Sequence, residues 1–112
     1  MRRLVGCDEC IPRGLAVLLS EDAEVLTVRK LGLAGRTDDM VRRALQALLS
    51  VVLVTVNRGF RWTAPARIGR VAVVLLYARS NQLVDLVEAL PALRKAIRRA
   101  EPGRVMEVRA AR

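Results

Sequence analysis

Short runs of β-branched residues alternate along the chain with segments in which apolar residues recur at helical spacing. This alternation is typical of a parallel sheet flanked by helices. We therefore predict an α/β fold of three layers, with a mostly parallel sheet of four to five strands, in a single domain spanning residues 1–112. The strand-like runs are residues 4–7, 24–28, 51–56 and 71–77, and the helical patterns cover 11–20, the residues after Thr37, and 83–97.

The strand-like runs differ in how polar they are. Residues 51–56 and 71–77 are apolar almost throughout, which predicts strands buried on both faces at the centre of the sheet. Val105 and Val108 alternate with polar neighbours, and this pattern predicts a short strand at one edge of the sheet.

Proline and capping residues mark the predicted helix boundaries. Pro12 is placed at the first position of the first helix, because its missing N–H costs nothing there. Thr37 is the expected N-cap of the second helix, and Ser80 or Asn81 that of the last. Pro91 should kink or divide this last helix.

The composition gives the chain a strong positive charge. The chain has 112 residues, 53% apolar and 28% charged, a balance that excludes a disordered chain. Its 20 basic and 11 acidic side chains give a net charge of +9, and all the basic residues except Lys30 and Lys95 are arginines. This excess favours a polyanionic partner such as nucleic acid. A high genomic G+C content would explain the arginine preference, although not the charge.

The sequence lacks an apolar stretch of membrane-spanning length, and it also lacks histidine. No apolar stretch is long enough to cross a bilayer, and Asp8 and Glu9 interrupt any signal-like start, so we expect a cytoplasmic protein without a membrane partner. The chain also contains no histidine, which excludes Ser-His-Asp and Cys-His catalysis and every His-containing metal site.

Acidic and amide side chains follow the predicted strands at the edge where open α/β sheets place their functional groups. Carboxylates gathered there repel one another unless they share a cation, and oxygen ligands suit Mg²⁺ or Mn²⁺. Compensation of the second helix dipole explains Asp38 and Asp39 equally well without a metal. The residues concerned are Asp8, Glu9, Asp38, Asp39, Thr55 and Asn57.

A C-x-x-C pair at Cys7 and Cys10 lies between the first strand and the first helix, where thiol-disulfide oxidoreductases carry theirs. However, Asp8 and Glu9 between the thiols would raise their pKa values, which opposes thiolate formation. Two cysteines without histidine could bind zinc only when shared by two chains. A thiol redox protein remains one alternative, and a buried structural Cys7 another.

Three segments of the chain resemble, in order and spacing, the short PIN-like domains, which are small relatives of the VapC-type toxins. The segments are LVGCDECIP at 4–12, VRKLGLAGRTDD at 28–39 and VLVTVNRGF at 52–60. The resemblance implies a PIN-like (Rossmann-like) fold. It also implies an endoribonuclease that depends on Mg²⁺ or Mn²⁺, often the toxin of a toxin-antitoxin pair.

Site residues follow from this resemblance position by position. Asp8 would be a metal ligand, Asp38 the acid of the second helix, Glu9 an additional acid, and Thr55 a hydrogen-bonding residue near the acids. The chain departs from the pattern where Cys10 replaces Asn and where Asn57 and Gly59 replace two acids. Asn57 keeps a carbonyl oxygen but loses a charge, so the resemblance implies a weakened metal site.

Loop arginines near these strand ends are the expected RNA phosphate contacts: Arg36, Arg58, Arg61 and Arg67. Trp62 could stack on a base or pack against the core. The cluster Arg94, Lys95, Arg98 and Arg99 is interpreted as a solvated helix face.

One further functional hypothesis and one possible interaction surface remain open from the sequence. A non-catalytic PIN-like module that binds RNA or an antitoxin protein explains Asn57 and Gly59 directly. Apolar positions at Leu83, Leu86 and Leu90 suggest a surface for a homodimer.

Overall fold

Five parallel strands form one sheet in the order β2-β1-β3-β4-β5. In this computed structural model, the described residues are 3–8, 10–27, 51–57 and 71–110. The strands are β1 (Leu4–Cys7), β2 (Glu24–Thr27), β3 (Val51–Thr55), β4 (Ala72–Tyr77) and β5 (Val105–Arg109). The helices are α1 (Arg13–Leu19), α2 (Leu83–Leu86) and α3 (Leu90–Arg99), and a 3-10 turn, Val87–Ala89, joins the last two.

The predicted fold class is confirmed: a parallel sheet carries flanking helices, and all four pairs of neighbouring strands are parallel. Each predicted strand is present with bounds within one residue at its described ends. The predicted helix after Thr37 lies outside the described residues.

Burial explains the apolar runs of the two central strands. Every residue of β3 and of β4 is buried, as expected for strands covered on both faces. β5 at the sheet edge instead alternates, with Val108 buried between the exposed Glu107 and Arg109. The predicted edge strand is therefore confirmed.

One face of the sheet packs against α1, α2 and α3. Val5, Val54 and Val74 on that face belong to the same core cluster as Leu15 of α1 and Leu93 of α3. Residues of opposite parity point to the other face and are equally inaccessible: Leu53, Val73 and Leu75 are fully buried. Both faces of the sheet are therefore covered.

The positions of α1 and α3 fix an unusual chain path. The connection from β1 to β2 leads toward one edge of the sheet, and that from β4 to β5 leads toward the other. Because α1 and α3 nevertheless lie on the same face, the two crossovers have opposite handedness. About 98% of such crossovers are right-handed, so one of these two belongs to the uncommon left-handed class. This path brings α1 and α3 together, and Arg94 of α3 donates to the Leu18 carbonyl at 3.1 Å.

Pro91 divides the last helix as predicted. It occupies the first turn of α3, and the 3-10 turn Val87–Ala89 directly precedes that helix. Proline has no N–H to donate to the carbonyl of residue 87, so an uninterrupted helix would lose that hydrogen bond.

Two predicted cap positions differ from the structure. Pro12 is the extended N-cap of α1 rather than its first helical residue, because its carbonyl accepts from the N–H of Leu15 and Ala16. The N-cap of α2 is Gln82, and neither Ser80 nor Asn81 takes that place. Ser80 contributes from two residues earlier, since its hydroxyl accepts from the Gln82 N–H at 3.1 Å and donates to Asp85 at 2.6 Å.

The predicted apolar surface patch is also only partly correct. Leu86 is fully buried in the core, so it cannot contribute to a dimer surface. Leu83 is exposed and Leu90 is half-buried. Besides Leu83, the exposed large apolar side chains of the described residues are Val17, Val84 and Val87.

Substituting two residues of α1 tests this assignment of the core. Leu15→Ala should lower the free energy of unfolding by about 2–5 kcal/mol, because Leu15 is fully buried between α1 and the sheet. Val17→Ala on the exposed side of the same helix should change it by less than about 0.5 kcal/mol. Urea denaturation followed by circular dichroism measures both values, and equal losses would contradict the assignment.

Candidate functional site at the carboxyl ends of the central strands

The strand order reverses direction between β1 and β3, which are neighbours in the sheet although β2 lies between them in the chain. In open parallel sheets, ligands bind outside the carboxyl ends of the strands at such a reversal. Asp8 follows β1 there, and Thr55 and Asn57 lie at the end of β3. The fold therefore brings three predicted site residues to one place.

Backbone pairing fixes the position of Asp8. Its N–H donates to the Val54 carbonyl at 3.0 Å, which continues the β1–β3 ladder by one residue, and its own carbonyl accepts from the Ile11 N–H at 2.9 Å. Asp8 is only 9% exposed. A carboxylate buried to this extent needs hydrogen-bond donors close to it.

Thr55 supplies such a donor. Its hydroxyl donates to Asp8 Oδ2 at 2.8 Å, and both residues are buried. The hydroxyl oxygen also accepts from the Asn57 N–H at 3.0 Å. Thr55 therefore couples the carboxylate that follows β1 to the backbone that follows β3. Thr55 therefore forms a hydrogen bond to Asp8, and its position relative to the other expected acids lies outside the described residues.

Cys10 completes the hydrogen bonding of Thr55. Its Sγ lies 3.7 Å from Thr55 Oγ1. Because the single hydroxyl proton of Thr55 is donated to Asp8, the Cys10 S–H must be the donor in this contact. In this arrangement Cys10 is a thiol, and the protons point from Cys10 to Thr55 and from Thr55 to Asp8.

The environment of both thiols opposes redox chemistry. Burial, together with Cys10 and the charge of Asp8, raises the pKa of Cys7 to about 12. Burial is also the main cause that raises the pKa of Cys10, and Asp8 adds to it. Both cysteines are free thiols, whereas thiol-disulfide exchange needs a lowered pKa. These directions agree with the repulsion inferred from Asp8 in the sequence.

The loop after β4 reaches across to the same site. Asn81 donates from Nδ2 to the Cys10 carbonyl at 3.3 Å, and Arg79 is exposed two residues after the end of β4. Sequence reasoning assigned Asn81 only a capping role and did not single out Arg79. The available signal was their position directly after a predicted central strand, on the edge that carries Asp8.

The remaining predicted site residues lie outside the described residues, so their predicted roles stay predictions. They are the acids Glu9, Asp38 and Asp39, the arginines Arg36, Arg58, Arg61 and Arg67, and Gly59 and Trp62.

The donors at this site fit part of a Mg²⁺ or Mn²⁺ site. Asp8 offers a carboxylate and Asn57 a neutral amide oxygen, which are ligand types that these cations prefer, whereas the Thr55 hydroxyl is occupied by its hydrogen bonds. Within residues 3–8, 10–27, 51–57 and 71–110, no three His, Cys, Asp or Glu side chains come together as a metal-binding group. Any further acidic ligand would have to come from residues outside those ranges.

Comparison with protein-family models, with curated proteins and with solved structures finds no match to this chain. Among the described helices, none combines the length and the apolar character needed to span a membrane.

The coupling between Thr55 and Asp8 can be measured with a double-mutant cycle. Thr55→Val keeps the side-chain volume but removes the donor to a buried carboxylate, so it should cost about 1.5–3 kcal/mol of unfolding free energy. In an Asp8→Asn background the same change should cost at least about 1 kcal/mol less, because the charged acceptor is gone. Urea unfolding of the four proteins gives the coupling, and additive costs would contradict the contact.

Thiol alkylation tests the raised pKa values of the two cysteines. In the native protein at pH 8, Cys10 should react with iodoacetamide more slowly than an ordinary cysteine, and Cys7 should not react measurably, because raised pKa values reduce the thiolate fraction. Both should react rapidly in urea. Mass spectrometry of tryptic peptides reports each site, and rapid labelling of both in the folded protein would contradict the burial and the raised pKa values of the thiols.

Proposed function

We propose that this chain is a PIN-like domain that binds RNA at the carboxyl edge of its sheet and cleaves it with the help of Mg²⁺ or Mn²⁺, at an attenuated rate. The observation that carries the proposal is the buried Asp8 carboxylate, which Thr55 holds at the strand-order reversal. The three segments that resemble PIN-like domains converge on this site in the proposal, with Asp38 and Glu9 as the additional acids.

The residues of the chain would divide the work as follows. Asp8 holds the cation, Thr55 fixes the orientation of the carboxylate, and Asn57 adds a neutral oxygen in place of an acid. A bound divalent cation would orient and activate a water molecule for attack on a phosphodiester. The reduced charge at Asn57 is the reason that we propose weak cation binding and slow cleavage.

Charge supports RNA as the partner. The chain carries a net charge of +9, and phosphate contacts supply most of the nonspecific affinity for nucleic acid. Arg79 is exposed at the same edge as Asp8. Since β3 alone separates β4 from β1, Arg79 follows a strand about 10 Å from β1 at the usual strand spacing. Phosphates of a strand passing over Asp8 would come within its range.

Asn57 also favours a second candidate function. A non-catalytic PIN-like module that binds RNA or an antitoxin protein needs no acids at positions 57 and 59. Asn57 and Gly59 would therefore not impair its function. This candidate keeps the fold and the positive surface but predicts no metal-dependent chemistry.

Calorimetric titration of Mn²⁺ distinguishes the two candidates. The unaltered protein should show weak saturable binding that Asp8→Asn abolishes and that Asn57→Asp tightens at least about tenfold. The gain follows because a unit charge about 4 Å from a dication is worth about 2 kcal/mol even in water. Glu88→Gln, which removes an exposed acid from the 3-10 turn, is the matched control and should leave binding unchanged.

Cleavage of single-stranded RNA provides the functional readout. Asn57→Asp should cleave RNA faster than the unaltered protein, and chelation of the metal should stop both. Absence of Mn²⁺ binding in the unaltered protein and in Asn57→Asp would contradict the nuclease proposal. RNA binding without cleavage would then support the non-catalytic module.

A further inference from the structure

The exposed large apolar side chains of the described residues all lie on α1, on α2 and on the 3-10 turn that follows α2. Val17 of α1 is 59% exposed and Val84 of α2 is 70% exposed, and Leu83 and Val87 are also exposed. We call these four residues the helix patch. Single apolar residues scattered over a protein surface are common, whereas a contiguous group of them marks an interaction site.

The contacts between α1 and the later helices place the members of the helix patch next to one another. Gly14 allows a close approach, because a β-carbon at position 14 would lie 2.6 Å from Leu83 Cδ2. Further along, Arg94 of α3 donates to the Glu21 carboxylate, just after α1, at 3.0 Å. α1 therefore runs beside residues 83–94 in the same direction, and the exposed sides of the two segments form one apolar surface.

The exposed side of α1 carries opposite charges at its two ends. Arg13 lies four residues before Val17 and Glu21 lies four residues after it, so each is about 6 Å from Val17 along the helix axis. In the described part of the chain, no carboxylate lies within salt-bridge distance of Arg13. Glu21 and Asp22 share Arg94, so two carboxylates and one guanidinium leave a charge of −1 at the other end.

This arrangement of charges is complementary to itself. When two copies pack with their α1 helices antiparallel about a two-fold axis at Val17, Arg13 of each copy faces Glu21 of the partner subunit. An apolar centre then lies between two pairs of opposite charges. A protein of another sequence would have to match this pattern with its own residues, whereas a second copy of the chain matches it by symmetry.

We propose that the helix patch joins two copies of this chain in an isologous dimer, with the two α1 helices antiparallel at its centre. Val17 packs at the two-fold axis, the rest of the helix patch packs beside it, and Arg13 pairs with Glu21 of the partner subunit. Burial of the apolar side chains drives association, and the two charge pairs fix the register. The proposal goes beyond the proposed function and uses none of the residues assigned to it.

Sedimentation equilibrium between about 1 µM and about 1 mM protein tests the dimer. The unaltered protein should pass reversibly from monomer to dimer in this range. Val17→Glu and Val84→Glu should each weaken association at least about tenfold, because each places a charge in an apolar interface. Both residues are exposed in the monomer, so urea unfolding at low protein concentration should show that both variants fold. Asp8→Asn should associate like the unaltered protein, which separates this proposal from the metal-dependent function.

Charge reversal tests the register of the two copies. Arg13→Glu and Glu21→Arg should each weaken association at least about tenfold, because like charges then face each other at both ends of the interface. An equimolar mixture of these two variants should associate within about threefold of the unaltered protein, since the mixed dimer restores opposite charges at both ends. Glu101→Arg and Arg104→Glu are the matched controls and should change association less than about twofold, because this exposed pair, 3.1 Å apart, lies in the turn before β5.

Three results would overturn the proposal. A monomer at every concentration would leave the helix patch to a protein of another sequence. Association that Val17→Glu and Val84→Glu do not weaken would place the interface elsewhere on the surface. A mixture of Arg13→Glu and Glu21→Arg that associates no better than either variant alone would exclude the antiparallel pairing of α1.

Discussion

Burial of the central strands on both faces is the constraint on which the rest of this structure depends. β3 and β4 expose no residue to solvent, so a polar side chain within them needs a partner inside the protein. The only polar side chain of β3 is Thr55, at its last position, where Asp8 lies within hydrogen-bonding distance. The same requirement that keeps the sheet apolar therefore concentrates polar groups at the strand ends.

The strands of the sheet can be predicted from the sequence because each is recognisable from the apolar and polar pattern of its own residues. Apolar runs locate β3 and β4, alternation locates β5, and Pro91 divides α2 from α3. Contacts between residues that lie far apart in the chain cannot be predicted in this way. Nothing in the sequence shows that Cys10 meets Thr55, 45 positions away, or that Arg94 meets Glu21, 73 positions away. The expected solvated cluster around Arg94 was wrong for that residue, because pairing across α1 and α3 depends on the handedness of two crossovers.

Charge is distributed differently at the two edges of the sheet. At the carboxyl edge, a buried carboxylate receives hydrogen bonds through Thr55, and two raised thiol pKa values keep Cys7 and Cys10 neutral. At the amino edge, a small cavity is lined by the guanidiniums of Arg3, Arg94 and Arg98, and Glu21 forms an ion pair with Arg94. The carboxyl edge thus holds a buried, hydrogen-bonded carboxylate, whereas the amino edge holds clustered guanidiniums. A parallel sheet makes this separation natural, because all its strands begin on one side and end on the other.

The contact between α1 and α3 forms late when the chain folds during its synthesis. Arg3 donates to the carbonyl of Ala100, and Arg94 joins α3 to the end of α1, so among the described helices α1 meets its neighbours from residues 83–99, about 70 positions later. Contacts that span nearly the whole sequence slow folding, since the chain must close long loops before they form. During synthesis, the apolar strands emerge from the ribosome well before α3 can cover them. The nascent chain therefore carries its greatest risk of aggregation before α3 has emerged.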